Sequence, residues 1–209
     1  MLKLFIDLLD KERLEVWEKL VCFKDYGTFA DGTALALQLN HRKSFDLDIF
    51  IENTVKQNLL LKVGDLFGRN NLEVVIDSPD ELTVLFKKEI KISFVYFPFK
   101  PLHEKILTKS LDLFDVKDLF SNKAYAVGRR GAWRDYVDVY FGLSCNIINF
   151  PKLIDETEKR FKGAFSKKLF FEQLTYFEDI NDWSIEWIGE KIYNEKIKEF
   201  LLEQVNKYL

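Results

Sequence analysis

The spacing of apolar residues changes character near the middle of the chain. In the first half, apolar residues recur at helical spacing over 9–21, a strand is expected over 23–30, and a short buried helix is expected to begin near Gly32. Alternation of apolar and polar residues predicts further strands at 46–51, 72–77, 82–88 and 90–97. A helix is predicted over 54–69, with Thr54 as its N-cap.

The second half is predicted to be almost wholly helical, because its apolar residues keep the helical period between turn signals. The predicted helices cover 115–130, 132–144, 151–161, 166–178 and 184 to the end of the chain. Ser184 is the expected N-cap of the last helix. Pro98 and Pro101 mark the change of pattern, so we expect an α+β protein with one domain over 1–100 and a helical domain over 101–209.

The composition is that of a globular protein, since 47% of the 209 residues are apolar and 31% are charged. The formal net charge of −3 provides no overall positive field, so contact with nucleic acid would need a local basic patch. Cys22 and Cys145 form no disulfide framework, and no run of about 18 apolar residues is present to span a membrane. We therefore expect a cytoplasmic protein with no membrane partner.

Two acids interrupt the apolar strand at 46–51. Asp46 and Asp48 are two positions apart, so on a strand both carboxylates point to the same face. One interpretation is an edge strand whose acids face water, which is common in antiparallel sheets. The other is a divalent metal site, because Mg²⁺ is usually held by one or two carboxylates together with substrate phosphates.

The residues on either side of the buried helix favour the metal interpretation. Gly32 and Thr33 stand where the strand turns into the helix, and free N–H groups at a helix N-terminus can bind phosphate. A simple N-cap turn is the alternative for this pair. His41, Arg42 and Lys43 lead into the acid strand; they form either a solvated turn or a cationic loop beside a triphosphate, where Arg42 would match phosphate oxygens best.

A third set of charged residues lies on two predicted helices. Asp135 and Asp138 are three positions apart and share a helix face, and Arg134 is placed to form an intrahelical ion pair with Asp138. Lys123 lies on the preceding helix. These residues are either ordinary surface charges or a site in which Lys123 reaches nucleotide phosphates while one of the acids orients it or acts as a base.

Together, the segments "GTALALQLNHRKSFDLDIF" and "DLFSNKAYAVGRRGAWRDYVDVYFGL" resemble the AbiEii/AbiGii-type nucleotidyltransferase toxins. These toxins belong to the wider DNA polymerase β-like nucleotidyltransferase superfamily. The resemblance covers residues 25–145. The residues that match the family pattern are Gly32, Thr33, Arg42, Ser44, Asp46, Asp48, Lys123, Ala126, Arg130, Arg134, Asp135 and Asp138.

The resemblance implies a mixed sheet flanked by helices, so that residues 1–100 would be the nucleotidyltransferase domain. It implies transfer of a nucleoside monophosphate from an NTP, with Mg²⁺ or Mn²⁺ held by Asp46 and Asp48. The implied catalytic residues are Asp46, Asp48, Lys123, Asp135 and Asp138. The implied nucleotide-binding residues are Gly32, Thr33, Arg42, Ser44, Lys123, Arg130 and Arg134. The family also implies a tRNA acceptor and a separately encoded antitoxin protein.

Two positions depart from the family pattern. Asp31 stands where the family has a glycine, and it adds a negative charge beside the expected triphosphate. Ser93 stands where a third carboxylate is expected on a neighbouring strand, so Asp77, Asp135 or Asp138 would have to replace it. Two further hypotheses follow: a catalytically degenerate protein that binds a nucleotide or a protein partner, and an enzyme that modifies a small molecule.

Overall fold

A computed structural model describes residues 3–209. The chain forms two compact units. The first unit contains the chain up to Leu39, Ser44–Lys100 and Glu104–Phe114, and the second contains Asn40–Lys43, Pro101–His103 and Asp115–Leu209.

The first unit is built on a five-stranded mixed sheet within the described residues. The strands are β1 Thr28–Ala30, β2 Leu47–Ile51, β3 Leu72–Asp77, β4 Glu81–Phe86 and β5 Ile90–Tyr96, in the spatial order β1-β2-β5-β4-β3. Strands β2 and β5 are parallel, and the other neighbours are antiparallel. The strands predicted over 46–51, 72–77, 82–88 and 90–97 are confirmed with small differences at their ends, and β2 begins one residue after Asp46. The strand expected over 23–30 is wrong in its first five residues, because a 3-10 helix over Leu20–Phe23 and a turn precede the short β1.

Three α-helices of the described chain belong to the first unit. They are α1 Lys11–Lys19, α2 Asp31–Leu39 and α3 Leu59–Phe67. Helix α2 is almost entirely buried, which confirms the short buried helix predicted near Gly32. The predicted N-cap Thr54 is wrong: α3 begins five residues later, after Asn58, and no side chain caps it. Residues 54–56 precede it without helical structure, because Val55 N–H bonds to the carbonyl of Pro79 instead.

The register of the sheet determines what lies beside the acid pair. Ala30, the last residue of β1, is opposite Asp48 on β2. Asp48 is in turn opposite Ser93 on β5, and Ser93 is opposite Thr83 on β4. Because residues directly opposite each other share a face of a sheet, the side chains of Asp48, Ser93 and Thr83 form one row across three strands.

The second unit is helical in the part of the chain that the structure describes. Its helices are α4 Val116–Val127, α5 Trp133–Ser144, α6 Phe150–Phe161, α7 Lys167–Thr175 and α8 Asn194–Tyr208. Trp133, Tyr136, Phe161 and Phe170 are among its fully buried side chains. The predicted helices α4 to α7 are confirmed, with small differences at their ends.

The helix predicted from residue 184 to the end is wrong in its first ten residues. Helix α8 begins at Asn194, and the Ser184 side chain bonds to Asp182 rather than capping a helix. The backbone of 186–188 instead pairs with residues 41–43, through Lys43 N–H to the Glu186 carbonyl and Ile188 N–H to the His41 carbonyl. Gly189 follows with a φ of +82°, which an α-helix does not accommodate.

The mixed sheet and the helices confirm the predicted α+β class. No helix among residues 3–209 combines the length and the apolar character that a bilayer crossing requires.

Candidate functional site

The acid pair of the first unit lies at the beginning of β2. Asp48 is inside the strand and Asp46 immediately precedes it, and both side chains are half-buried. Lys91 on β5 forms an ion pair with Asp46, with Nζ 3.5 Å from Oδ2. The two acids therefore face a lysine and a serine of the neighbouring parallel strand. Lys91 is a site residue that the sequence interpretation missed, because its place beside Asp46 follows only from the β2–β5 pairing.

The carboxyl of Asp48 is held in an environment that opposes its ionisation. Burial is the main cause, and the negative charge of Asp31 adds to it, so that the pKa of Asp48 is raised to about 6. Lys91 and a hydrogen bond from Ser93 act in the opposite direction but do not compensate. A carboxylate whose negative charge is poorly compensated by the protein is a suitable ligand for a cation.

The donor set at this position fits Mg²⁺ only in part. Carboxylate oxygens are the ligands that Mg²⁺ prefers, and Asp46 and Asp48 supply them. Within residues 3–209, no group of three or more His, Cys, Asp or Glu side chains is arranged to hold a metal ion. The pair thus fits a cation whose remaining ligands come from substrate phosphates and water, which is the usual situation for Mg²⁺.

Asp31 occupies a strained backbone position at the start of α2. Its φ is +56°, in the left-handed region that favours glycine and that Asp and Asn tolerate better than other side chains. The family's glycine at this point is thereby explained, since the chain must turn here from β1 into α2. Because Ala30 is opposite Asp48, this turn places the Asp31 charge close enough to Asp48 to raise its pKa.

The first turn of α2 is attached to the segment that leads into β2. The Thr33 hydroxyl lies 3.0 Å from the Ser44 hydroxyl, as a hydrogen bond across eleven residues. Thr33 is fully buried, whereas Ser44 is half-buried. The contact gives Thr33 a partner within the protein and leaves Ser44 the more accessible of the two hydroxyls. Gly32 is buried in the same turn.

In the second unit, Asp138 is the centre of a buried ion-pair cluster. The guanidinium of Arg42 binds Asp138 in a bidentate manner: Nε donates to Oδ1 and a terminal nitrogen donates to Oδ2, each at 2.7 Å. His41 Nε2 lies 2.8 Å from Oδ1. All three side chains are buried. Burial lowers the pKa of His41 despite the neighbouring carboxylate, so the neutral ring donates its Nε2–H to Asp138.

Lys123 joins the same cluster from α4. Its Nζ lies 2.8 Å from Asp135 Oδ1 and 3.2 Å from Asp138 Oδ2, and its side chain is 2% exposed. Arg130 Nε completes the set at 2.9 Å from Asp135 Oδ2. The sequence interpretation has one acid orienting Lys123. In the structure the ammonium group of Lys123 contacts two acids, Asp135 and Asp138, at once.

The electrostatics of Asp138 favour an orienting role over a role as a base. Burial alone would raise its pKa, but Arg42 and Lys123 outweigh burial and hold the pKa well below its usual range. A carboxylate with so low a pKa is a weak base. Arg134 is exposed and, within the described residues, forms no ion pair with Asp138, so the intrahelical pair considered from the sequence is absent.

A family model described as "Nucleotidyl transferase AbiEii toxin, Type IV TA system" matches residues 23–203. The match includes both the acid pair of the first unit and the Asp138 cluster of the second. It extends well beyond the segments on which the sequence resemblance was based.

Individual proteins are similar over almost the whole chain. The protein aq_aa25 of Aquifex aeolicus (strain VF5) is 29% identical over 208 residues, which cover 96% of this chain and 98% of the relative. The crystal structure of JHP933 from Helicobacter pylori has a TM-score of 0.54 at 17% identity and covers 95% of this chain and 92% of its own. MenT4, a nucleotidyltransferase toxin from Mycobacterium tuberculosis H37Rv, has a TM-score of 0.55 at 14% identity, with 92% and 81% covered. At such identities the structures establish the fold, which is the nucleotidyltransferase-type fold predicted.

Proposed function

Because the chain belongs to the family of AbiEii nucleotidyl transferase toxins of type IV toxin–antitoxin systems, we propose that it transfers a nucleoside monophosphate from an NTP to an acceptor hydroxyl. The acceptor oxygen bonds to the α-phosphorus, the bond between the α- and β-phosphates breaks, and pyrophosphate leaves. The acceptor proton is released. The toxin family and the fold support this class of reaction.

The observation that carries the proposal is the position of Asp48 relative to α2. Ala30 is opposite Asp48, and α2 begins directly after Ala30. The acid pair therefore lies beside a strand-to-helix turn, where N–H groups of the first helical turn are not used within the helix. Carboxylates for a cation and N–H groups for phosphates at one turn are what an NTP with a bound divalent cation requires.

Nucleotidyltransferases typically use divalent metals, and we propose Mg²⁺, or Mn²⁺ in its place. Asp46 and Asp48 would hold the ion. When bound, it would neutralise charge on the phosphates and polarise the α-phosphate for attack. The chain's own contribution is to keep two carboxylates on one face of β2 and to place Lys91 and Ser93 beside them.

The residues around the turn have separate tasks in this proposal. Gly32 and Thr33 provide backbone N–H groups for phosphate oxygens, and Ser44 provides the more accessible hydroxyl. In the second unit, Lys123 is proposed to offset charge on the leaving pyrophosphate, with Asp135 and Asp138 holding its ammonium group. Roles in nucleotide binding for Arg42, Arg130 and Arg134 are part of the same proposal.

We propose a tRNA as the acceptor and a separately encoded antitoxin protein as the partner. The family to which the chain belongs supports the toxin–antitoxin context. For an acceptor RNA, the chain offers a local group of cations despite its acidic total: Arg129, Arg130 and Arg134 are all exposed around the turn between α4 and α5. Such a group can contact phosphates of an RNA in a salt-dependent manner.

The test is incorporation of labelled nucleotide. Purified protein is incubated with Mg²⁺, each of the four α-labelled NTPs, and total tRNA. We expect one or more NTPs to label the RNA, and Asp48→Asn to abolish the label because the acid pair loses one charge. Asp65→Asn is the matched control, since this exposed acid of α3 pairs only with Arg69 on the same helix in the described contacts.

The two other hypotheses correspond to distinct outcomes of the same assay. NTP binding that requires Mg²⁺, detected by a thermal shift without any labelled product, would identify a degenerate nucleotide-binding protein. Label on a small molecule but not on RNA would change the acceptor and keep the chemistry. If neither label nor NTP binding is detected, the proposed function is wrong.

A further inference from the structure

The two edges of the five-stranded sheet differ in how they are protected. Strand β1 is short, and its outer side bonds to a later segment of the same unit: Phe29 N–H donates to the Asp112 carbonyl, and Phe114 N–H donates to the Phe29 carbonyl. Strand β3 is the opposite edge, and among residues 3–209 it pairs only with β4. The outer side of β3 therefore has no partner strand within the described chain, which makes it a template for another strand.

Strand β3 exposes apolar side chains along this edge. Val74, Val75 and Ile76 are consecutive and are 46%, 52% and 38% exposed. Proteins commonly protect an edge strand with lysine or proline, and the β3 sequence, LEVVID, contains neither. Exposed β-branched residues on an unprotected edge are typical of a surface that another chain covers.

The charges of the β3–β4 hairpin and its flanking residues, 70–86, all have one sign. This range contains no lysine or arginine. Its charged residues are Glu73, Asp77, Asp80 and Glu81. The cations on either side of the range are already paired with acids, Arg69 with Asp65 and Lys87 with Glu12. The edge therefore favours a partner with positive charge and disfavours a nucleic acid, whose phosphates it would repel.

A second copy of the chain fits this edge poorly. Pairing of two β3 edges would bring two acidic hairpins side by side, and like charges on neighbouring strands destabilise their pairing. The register of β3 also shifts at Val75, which has no opposite residue on β4. Such a bulge increases the local twist of the strand. A second rigid sheet would have to match this twist, whereas an extended segment outside any sheet can follow it.

We propose that β3 is the docking site for an extended, basic segment of a partner protein, which adds to the five-stranded sheet as a further strand. Main-chain hydrogen bonds to β3 supply the affinity of such a complex, and side chains supply its specificity. Lysine or arginine side chains of the segment lie beside Glu73 and Asp77, and its β-branched side chains lie beside Val74–Ile76. The inference goes beyond the proposed function and does not depend on nucleotidyl transfer.

The test is binding of a defined peptide to the full chain. The probe is fluorescently labelled acetyl-Lys-Val-Lys-Val-Lys-Val-Lys-amide, and its binding is followed by fluorescence anisotropy. We expect the peptide to bind at low ionic strength and to bind more weakly as the salt concentration rises. The same peptide with every backbone nitrogen methylated keeps its charges but has no N–H groups to donate to β3. The methylated peptide should not bind.

Variants of the chain test the position of the site. Val75→Lys places on the edge the residue type that commonly protects such strands, so we expect it to weaken peptide binding by about tenfold. Val21→Lys is the matched control, because Val21 is 43% exposed, lies outside the sheet and gives the same change in net charge. It should bind the peptide as the unmodified chain does. The double variant Glu73→Gln with Asp77→Asn should also weaken binding, and it remains informative where Val75→Lys does not fold.

Amide hydrogen exchange locates the bound peptide on the chain. Slower exchange in Leu72–Asp77 when the peptide is added would support the proposal, and slower exchange only in other segments would contradict it. Equal binding of the methylated peptide, or full binding by folded Val75→Lys, would show that charge alone attracts the peptide and would overturn the proposal.

Two further outcomes would also overturn it. One is the absence of peptide binding to the unmodified chain at millimolar concentration. The other is a dimer of the unmodified chain in sedimentation velocity that Val75→Lys, but not Val21→Lys, converts to a monomer. In that case a second copy of the chain, rather than a basic segment of another protein, occupies β3.

Discussion

Lys91 and Asp46 form an ion pair across the parallel strands β2 and β5, with 3.5 Å between Nζ and Oδ2. Both side chains are 41% exposed, so the pair contributes at most about 1 kcal/mol to folding. Its larger effect is on ligands: the ammonium group occupies a position close to one of the two proposed metal carboxylates. A cation that binds Asp46 has to compete with Lys91.

Replacement of Lys91 by methionine should therefore strengthen cation binding. Lys91→Met removes the competing charge and keeps the aliphatic chain, so we expect tighter Mn²⁺ binding in the absence of nucleotide. Isothermal titration measures the change. Lys88→Met, at an exposed lysine of the β4–β5 turn, is the control and should leave Mn²⁺ binding unchanged. Weaker binding by Lys91→Met would show that Lys91 is not a competitor.

Asp48→Asn should make the metal-free protein more stable near neutral pH. Because the pKa of Asp48 is raised to about 6 in the folded protein, the folded state holds a proton that the unfolded chain releases near pH 4. The stability contributed by this group is present below about pH 4 and is lost as the pH rises through 6. The variant lacks this loss, so its advantage should be present at pH 7 and disappear at pH 4.

Urea unfolding at both pH values measures this difference. In the presence of Mn²⁺ and nucleotide, the order should reverse, because only the unmodified chain gains the binding energy of the ion. An equal free energy of unfolding for the two proteins at pH 7 without metal would mean that the surroundings of Asp48 do not destabilise its ionised form.

Asp31 has two separable effects: its backbone conformation affects the stability of the protein, and its charge affects the pKa of Asp48. Asp31→Asn removes the charge but keeps a side chain that tolerates positive φ, whereas Asp31→Gly removes both the charge and the backbone strain. Both variants should lower the pKa of Asp48, because its neighbouring negative charge is gone. Only Asp31→Gly should add the further stabilisation of about 1 kcal/mol that relief of a left-handed residue gives.

The pKa of Asp48 can be followed by NMR of its side-chain carbon, and the stability by urea unfolding. A pKa of Asp48 that stays near 6 in both variants would show that the charge of Asp31 does not contribute to the shift. Equal stability of the glycine and asparagine variants would show that the backbone at position 31 is not strained.

Asp138→Asn should destabilise the protein strongly. The change removes the carboxylate that Arg42 and Lys123 share in a fully buried position, and loss of one partner of such a buried pair costs about 3–5 kcal/mol. Asp155→Asn is the control. Asp155 forms an exposed pair with Lys159 on α6, so its loss should cost less than about 1 kcal/mol.

The pH dependence of Asp138 has the opposite sign to that of Asp48. Its pKa is well below the usual value because Arg42 and Lys123 outweigh the effect of burial. The stability from this carboxylate is fully present above about pH 4 and is lost as the pH falls further. Acid unfolding of Asp138→Asn should therefore be shallower than that of the unmodified chain. Identical acid unfolding of both proteins would contradict the ion-pair assignment.

The elements that were predicted correctly from the sequence are those with a continuous local period. The acid strand and the helix that begins after Ala30 are examples, because alternation and turn chemistry are readable over a few residues. The segment before α8 was predicted as helix for the same reason, and the prediction failed because its backbone pairs with residues 41–43. Pairing between segments so far apart in the sequence leaves no periodic pattern of apolar residues that would reveal it.

The candidate site shows the same limit. Asp46 and Asp48 were identified as a pair because they are neighbours in sequence. Arg42 and His41 were not identified as partners of Asp138, because they are 96 and 97 positions away and an ion pair with Arg134 was the local choice. Lys91 could be recognised only from the strand order and register, which bring it to Asp46 from a later strand.

The position of β5 in the sheet has a consequence for the order of synthesis. Strand β2 pairs with β1 on one side and with β5 on the other, and β5 is the last strand to leave the ribosome. Until residues 90–96 have been made, Asp46 and Asp48 have neither Lys91 nor Ser93 beside them. A nascent chain that ends earlier contains the acid pair but not its surroundings, so the site of the folded protein forms only after β5 has been made.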